Sequence, residues 1–403
     1  MPDRAAADLA GGRLFRLAWA AAVVLYVVAA AGWIARSRAL VAQGLEPVGH
    51  DFLAFWSASH VALNQLPADA YSAGPIVAAH HLAYPAMSGY FPWIYPPTFL
   101  LAVLPLALLP HLVAYALFVA ATFAGYLAVL RRIAPTAAAA FLVAAAPATF
   151  ANATHGQNGF LTASLLGAAA LLLDRRPALA GVAIGLLAYK PHWAMLLPVA
   201  LAASGRWRAF AAAAATAAAF VLASGAVLGL DTFAGFWRTL PLMRQVTEDG
   251  LIPWSYMPTA FSAVRLGGGG IAAAYAVQAA SAVAAVAVVA WLWRQPAPVG
   301  LQVAGTIAAT VLATPYLFDY DLVAVGVALA LVAREAWRTG FLPGERPALL
   351  LVWLVPLVGT LLAEATAVQA GPLAMALFVA AVVRRARRRG PAPGLAPGAA
   401  RYA

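Results

Sequence analysis

Long apolar segments follow one another through almost the whole chain, and short loops marked by arginine separate them. Of the 403 residues, 64% are hydrophobic and only 10% are charged, whereas a soluble protein has roughly 25% charged residues. An α-helix needs about 20 apolar residues to cross a bilayer. The sequence therefore predicts an all-α polytopic membrane protein and argues against a series of soluble domains.

The distribution of charge predicts an orientation. When the gaps between apolar segments are assigned alternately to two sides, most of the 25 basic residues fall with the termini and most of the 14 acidic residues fall opposite. Basic loops mark the cytoplasmic side, so both termini are expected there. The net charge of +11 is then explained by these loops, and no nucleic-acid partner is expected. Membrane lipids are the expected surroundings, and the arginine run 384–389 is predicted to lie against anionic lipid.

Loops on the same side must be separated by an even number of crossings, and about twelve transmembrane helices satisfy this condition. These predicted spans are 14–34, 111–130, 137–151, 157–173, 177–189, 191–203, 208–229, 271–293, 297–313, 321–333, 347–365 and 371–383. The apolar stretch 94–109 contains three prolines, which disfavour a regular span, and it is predicted as a helix embedded in the outer leaflet. One polytopic domain is predicted over 1–389, followed by a disordered cytoplasmic tail over 390–403.

Lys190 is the only lysine of the chain, and it lies where two short predicted spans meet. Each of these spans is too short for a full crossing, so the turn between them is predicted to enter the bilayer or a cavity. Ionisable groups at such depth usually serve function, and a phosphate is a suitable partner for a lone ammonium. Snorkelling of the side chain to the interface is the structural alternative.

The other candidate groups lie in predicted outer segments. The first such segment, 35–93, is long for a connector and carries Asp51, whose carboxylate can accept a proton from an acceptor hydroxyl. Capping of a helix start is the alternative role for Asp51. Seven further residues are candidates for substrate binding, with turn, cap or solvated-loop roles as their alternatives: His155, Gln157, Asn158, Arg238, Arg244, Tyr256 and Asp319. No metal-ligand spacing, glycine-rich phosphate loop or cysteine is present, so no metal or cofactor is expected.

Several short motifs occur in an order that resembles glycosyltransferase family 87, the polytopic bacterial enzymes of the GT-C superfamily. The motifs are Asp51-Phe-x-x-Phe-Trp-x-Ala, Asp69-Ala-Tyr, Tyr95-Pro-Pro, Gly156-Gln-Asn-Gly, Gly181-x-x-x-Gly-Leu-Leu-Ala-x-Lys-Pro and Pro315-Tyr-x-x-Asp-Tyr-Asp-Leu. Each motif is short, but together their order and spacing are specific. The resemblance runs from about Phe15 to Val383, which is nearly the whole chain.

The resemblance implies an inverting hexosyltransferase. Its donor would be a polyprenyl-phosphate sugar, typically of mannose, and its acceptor a lipid or glycan at the outer face of the bacterial cytoplasmic membrane. The catalytic acid of the family's first outer loop matches Asp51, which would act as general base, and the Lys-Pro turn matches Lys190 as a donor-phosphate contact. Some relatives carry histidine after the Asp of the last motif, where this chain has Tyr320. A transporter or flippase of a lipid-linked or small solute is the alternative function.

Overall fold

A computed structural model describes residues 13–388, except for the side chains at 13–23 and at 25. All regular structure within these residues is helical, as predicted, and the predicted tail at 390–403 lies outside them. The α-helices are α1 (Arg13–Ala42), α2 (His50–Asn64), α3 (Ala73–Ala83), α4 (Pro97–Val103), α5 (His111–Ile133), α6 (Ala137–Ala144), α7 (Pro147–His155), α8 (Gly159–Leu172), α9 (Pro177–Leu186), α10 (Leu197–Ala203), α11 (Trp207–Leu228), α12 (Asp231–Glu248), α13 (Ala260–Leu266), α14 (Ile271–Leu292), α15 (Val299–Ala313), α16 (Val325–Thr339), α17 (Glu345–Thr366) and α18 (Gly371–Arg387). Short 3₁₀ turns lie at Pro67–Tyr71, Leu104–Leu108, Leu187–Tyr189, Pro191–Trp193, Trp254–Tyr256 and Asp319–Ala324.

Four described helices are individually long and apolar enough to cross a membrane: α5, α11, α14 and α17. A fifth candidate is the pair α6 and α7, whose axes meet at 54°. The hydroxyl of Tyr26 in α1 donates to the carbonyls of Ala145 and Ala146 at this bend, at 2.6 and 2.9 Å. All twelve predicted spans coincide with helical segments. Twelve crossings, and the embedded position of α4 and the turn after it, stay predictions.

The long first loop folds into a helical layer around α2, which carries Asp51 in its first turn. From Phe52 to Ala62 most side chains of α2 are buried, because a helix that is apolar on all sides must be covered on all sides. Phe55 is the centre of this packing. Its ring lies 5.0 to 6.0 Å from five other aromatic rings: Phe52, Trp93, Tyr95, Phe99 and Phe118. This core fixes the point at which the Asp51 carboxylate emerges.

The close crossing of α9 and α11 depends on two glycines four residues apart. A Cβ at Gly181 would lie 2.4 Å from the carbonyl oxygen of Ala209, and one at Gly185 would lie 2.5 Å from that of Ala213. Positions four apart share one helix face, and small residues there let membrane helices approach closely. Because α9 leads into the turn that contains Lys190, this crossing sets the depth of the turn. Lys190 itself is buried within the protein, with 4% of its surface exposed, while entry of the turn into the bilayer stays a prediction.

Arg385 of α18 is buried against the start of α17. Its guanidinium forms an ion pair with Glu345, which is also buried, and donates to the carbonyl of Gly340 at 2.7 Å. Such a pair is retained because either charge alone would be costly to bury. The prediction that the run 384–389 lies against lipid is therefore wrong for Arg385, which joins helix ends inside the protein.

Replacing Gly185 by alanine is expected to destabilise the protein by about 1–3 kcal/mol, because the added methyl group meets a backbone oxygen that cannot move without separating α9 from α11. The measurement is the unfolding temperature of detergent-purified protein. Gly32→Ala is the matched control, since Gly32 lies in α1 with no atom within 4 Å of the added Cβ. Equal unfolding temperatures for the two variants would contradict the role given to this crossing.

Candidate active site

The carboxylate of Asp51 is held by the side-chain amide of Gln157. Gln157 Nε2 donates to Asp51 Oδ2 at 2.9 Å, and the hydroxyl of Tyr95 donates to Gln157 Oε1 at 2.9 Å. The two bonds use opposite ends of the amide and so fix its orientation. Gln157 is buried, whereas the Asp51 side chain keeps 25% of its surface exposed. The carboxylate therefore has a fixed position and is still open to a small molecule.

Two glycines with left-handed backbone conformation bring Asp51 and Gln157 together. Gly49, with φ of 62°, precedes α2, and Gly156, with φ of 72°, follows α7. A Cβ at either position would lie under 3 Å from the ring of Tyr115. Only glycine has both this conformation and this lack of bulk at little cost. The two backbones thus meet across one tyrosine, and Asp51, two residues after Gly49, accepts a hydrogen bond from Gln157, which directly follows Gly156.

His50 lies between two carboxylates. Its Nδ1 is 2.7 Å from Glu46 Oε1, and its Nε2 is 3.7 Å from Asp51 Oδ1. Burial alone would lower the pKa of His50, but the charge of Asp51 and the hydrogen bond with Glu46 outweigh burial and hold that pKa above its ordinary value. The ring of His155 packs edge-on against His50, with 4.6 Å between centroids. A positive charge on His50 is therefore favoured beside Asp51.

Lys190 is the centre of a second, fully buried network. Its ammonium donates to Asp321 Oδ1 at 2.5 Å and to Asn158 Oδ1 at 2.7 Å. Asp321 is 3% exposed, and its other oxygen accepts the N–H of Phe318 at 3.3 Å. Asp321 therefore caps the start of its own turn and also forms an ion pair that joins residues 131 positions apart in the chain.

The two networks are neighbours because they share the turn 155–159. Gln157 serves Asp51, and the next residue, Asn158, serves Lys190. With its amide nitrogen toward Gln157 O at 3.1 Å and its oxygen toward Gly159 N at 3.0 Å, the Asn152 side chain braces this turn. Tyr320 also contacts this turn, since its hydroxyl accepts a hydrogen bond from Gln157 Nε2 at 3.3 Å.

Asp319 adds a further buried carboxyl group, in the connection between α15 and α16. Its Oδ1 accepts the N–H of Tyr320 at 2.7 Å. Burial raises the pKa of Asp319 to about 7, and the charges of Asp321 and Asp51 add to the rise. Burial, followed by the charge of Glu364, raises the pKa of Tyr256, and its predicted contact with substrate stays a prediction.

The two candidate arginines lie on α12 and not in the Asp51 network. Arg244 is exposed and pairs with Glu248 at 2.8 Å, and Glu248 also accepts from the hydroxyl of Tyr275. Arg238 is exposed as well. Within residues 13–388, no side-chain hydrogen bond or ion pair joins either arginine to Asp51, Gln157 or Lys190. Their predicted contact with substrate stays a prediction.

The sequence reading gave no role to Glu46, His50 or Arg36. The hydrogen bond with His50 lowers the pKa of Glu46, and the positive charge of Arg36 lowers it further. Arg36 therefore lies within electrostatic reach of the site. The sequence did contain a hint that Arg36 has a specific role, because Arg36 and Arg38 follow the first span on the predicted side where arginine is otherwise scarce.

An all-helical chain with several membrane-length apolar helices, and with a partly exposed carboxylate held at the start of a buried helix, has the features of a multi-pass membrane enzyme. The chain belongs to glycosyltransferase family 87, whose model matches residues 93–315. The resemblance drawn from the motifs is thereby confirmed, and the protein is a membrane glycosyltransferase. The match contains Gln157, Asn158 and Lys190 but neither Asp51 nor Asp319. Comparison with curated proteins and with solved structures gives no match.

Replacing Asp319 by asparagine is expected to stabilise the protein relative to wild type as pH rises. The pKa of this group is near 3.8 when exposed and about 7 when folded, so its protonation favours folding at low pH and the benefit is lost as pH rises through 7. The difference between the two proteins should change by at most about 1.4 kcal/mol per pH unit between these values.

The measurement is the unfolding temperature in detergent at several pH values between about 5 and about 7.5, the range in which Asp319 is expected to titrate in the folded protein. Asp249→Asn is the control, because Asp249 is an exposed acid on the same predicted side. Parallel pH curves for wild type and Asp319→Asn would show that Asp319 does not titrate as described.

Proposed function

We propose that this membrane glycosyltransferase moves a hexose, with mannose as the first candidate, from a polyprenyl-phosphate sugar to a lipid or glycan acceptor. The reaction takes place at the outer face of the bacterial cytoplasmic membrane and inverts the anomeric configuration. Asp51 is the general base. No organic cofactor is needed, because the donor is already activated by its phosphate.

The proposal rests on how the Asp51 carboxylate is held and on how much of it is exposed. Gln157 occupies one of its oxygens, and a quarter of the side chain is exposed. A general base must lie within hydrogen-bond reach of the hydroxyl that it deprotonates. An acceptor hydroxyl can approach Asp51 Oδ1, while the bond from Gln157 keeps the carboxylate from rotating.

The proposed chemistry is a single displacement. The acceptor O–H gives its proton to Asp51 as its oxygen attacks the anomeric carbon, and the bond between that carbon and the phosphate oxygen breaks. Polyprenyl phosphate leaves with the bonding electrons. No second carboxylic acid is needed to protonate the leaving group, because a phosphate monoester is a stable anion.

Lys190 supports departure of the phosphate in this proposal. Two of the three ammonium N–H groups are engaged by Asp321 and Asn158, which leaves one for a donor phosphate oxygen. Charge that builds on the leaving oxygen would be stabilised by a cation already fixed in place. We propose His155, Asn158, Tyr256 and Asp319 as candidate contacts for the sugar, and Arg238 and Arg244 as outer contacts for an anionic group.

The proposed orientation follows from where helices begin and end. α5, α8 and α16 begin near α2, Asn158 and Asp321 respectively, and each ends at or just before an arginine: Arg132, Arg175 or Arg338. With the arginines in the cytoplasm, Asp51 and Lys190 face the outer side, and both termini are cytoplasmic.

Asp51→Asn is expected to reduce turnover by about 10²–10⁴-fold, which is the usual contribution of a general base. Asparagine keeps an oxygen for Gln157 and so preserves the packing. The assay is release of polyprenyl phosphate from polyprenyl-phosphate mannose by protein in proteoliposomes with a lipid acceptor extract. Asp69→Asn, the same change in the same predicted loop, is the control and should leave turnover near wild type. Undiminished turnover of Asp51→Asn would remove Asp51 as the base.

The double variant Lys190→Gln with Asp321→Asn is expected to fold and yet to lose about a hundredfold in kcat. Both charges disappear together, so no unpaired charge is left buried, but the cation near the leaving phosphate is lost. Steady-state kinetics with the same donor give the comparison. A purely structural role for Lys190 predicts instead that kcat is unchanged in this double variant once the fraction of folded protein is equal.

A further inference from the structure

A cavity of about 470 Å³ opens at the end of the helices opposite Asp51. Its walls are the last turns of α5, α8 and α16 together with the start of α15. At about 1.5 Å per residue, these three helices place the cavity roughly 20 to 35 Å from the residues of the active site. It is therefore a separate site and takes no part in the proposed transfer reaction.

Four arginines from three different chain segments surround this cavity, which we name the arginine cavity: Arg132, Arg175, Arg334 and Arg338. Two carboxylates also line it, but Asp174 already pairs with Arg206 at 2.7 Å. Glu335 is then the one acid of the lining that is not engaged in an ion pair among the described residues. The cavity therefore carries an excess of positive charge.

The four guanidinium groups have no hydrogen-bond or ion-pair partner in the part of the chain that the structure describes. Among the hydrogen bonds and ion pairs of residues 13–388, none involves the side chain of any of these arginines. A cytoplasmic bias requires only that arginines lie in loops on one side, and it does not require them to converge around one cavity. Convergence of unpaired guanidinium groups is costly unless an anion balances them.

We propose that the arginine cavity binds a phosphate-bearing anion. The planar guanidinium group binds phosphate oxygens through paired hydrogen bonds, and the volume accommodates a glycerophosphate or a diphosphate. The apolar side chains of Leu171, Leu301 and Leu331 line the same cavity, so the acyl end of a lipid would have an apolar wall. The first N–H groups of α15 are not used by the helix itself and add donors at the cavity wall.

The test is isothermal titration of the full chain in a neutral detergent with two probes, dioctanoyl phosphatidic acid and inorganic pyrophosphate. The double variant Arg132→Gln with Arg175→Gln should weaken binding by about tenfold or more, since each charged hydrogen bond contributes strongly. The matched control is Arg131→Gln with Arg176→Gln, which makes the same change in charge at the neighbouring positions that do not line the cavity. The control should stay within about twofold of wild type.

Binding of phosphatidic acid alone assigns the cavity to a lipid headgroup, and binding of pyrophosphate as well assigns it to phosphate anions in general. The proposal is overturned if neither probe binds wild type, or if the two double variants lose affinity equally, which would show attraction to surface charge only. Elution as a single species on size exclusion establishes that both variants are folded. If the cavity variant does not fold, Arg338→Gln against Arg208→Gln gives the same comparison with single changes.

Discussion

The buried ion pair between Lys190 and Asp321 is the interaction on which the arrangement of the site depends. It joins the turn after α9 to the turn before α16, and through Asn158 it includes the turn before α8. Removing one partner from such a pair costs several kcal/mol because the other charge is left buried, whereas the net gain from the pair itself is small. The pair is therefore better understood as fixing the relative positions of three connections than as a large source of stability.

This arrangement divides the polar groups into a buried layer and a partly open layer. The buried layer is Lys190, Asp321 and Asn158, which are almost completely buried. The partly open layer is Asp51, the proposed base, with its neighbours Gln157 and His50. Because Gln157 and Asn158 are adjacent in the chain, a displacement of the buried layer moves the amide that positions Asp51. Removing only one of the two charges would then disturb the proposed base without any direct contact between Lys190 and Asp51, whereas the paired replacement Lys190→Gln with Asp321→Asn leaves no unpaired charge to displace the buried layer.

Much of the fold could be predicted because membrane helices are encoded locally. Apolar length and arginine position predicted helical segments at all twelve places, and two spans too short to cross pointed to the turn in which Lys190 is buried. The partner of Lys190 could not be predicted, because it is 131 residues away and no local period relates the two positions. The buried place of Arg385 was missed for a related reason. Composition treats every arginine of a basic run alike, and only the position of Glu345 on another helix distinguishes one of them.

Acidic and basic residues are separated along the sequence for two different physical reasons, one for the arginines and one for the carboxylates. α5, α8 and α16 each begin beside the polar groups of the candidate site, and each ends near an arginine of the arginine cavity. A bias in topology accounts for arginines at that end, but it accounts neither for their convergence nor for the buried carboxylates at the other end. Those carboxylates need specific partners, which the lysine, the amides and the histidine provide. Under the proposed orientation, charge segregation sets the direction of the bundle in the membrane, whereas the pairing of individual charges at the end with Asp51 holds the candidate site together.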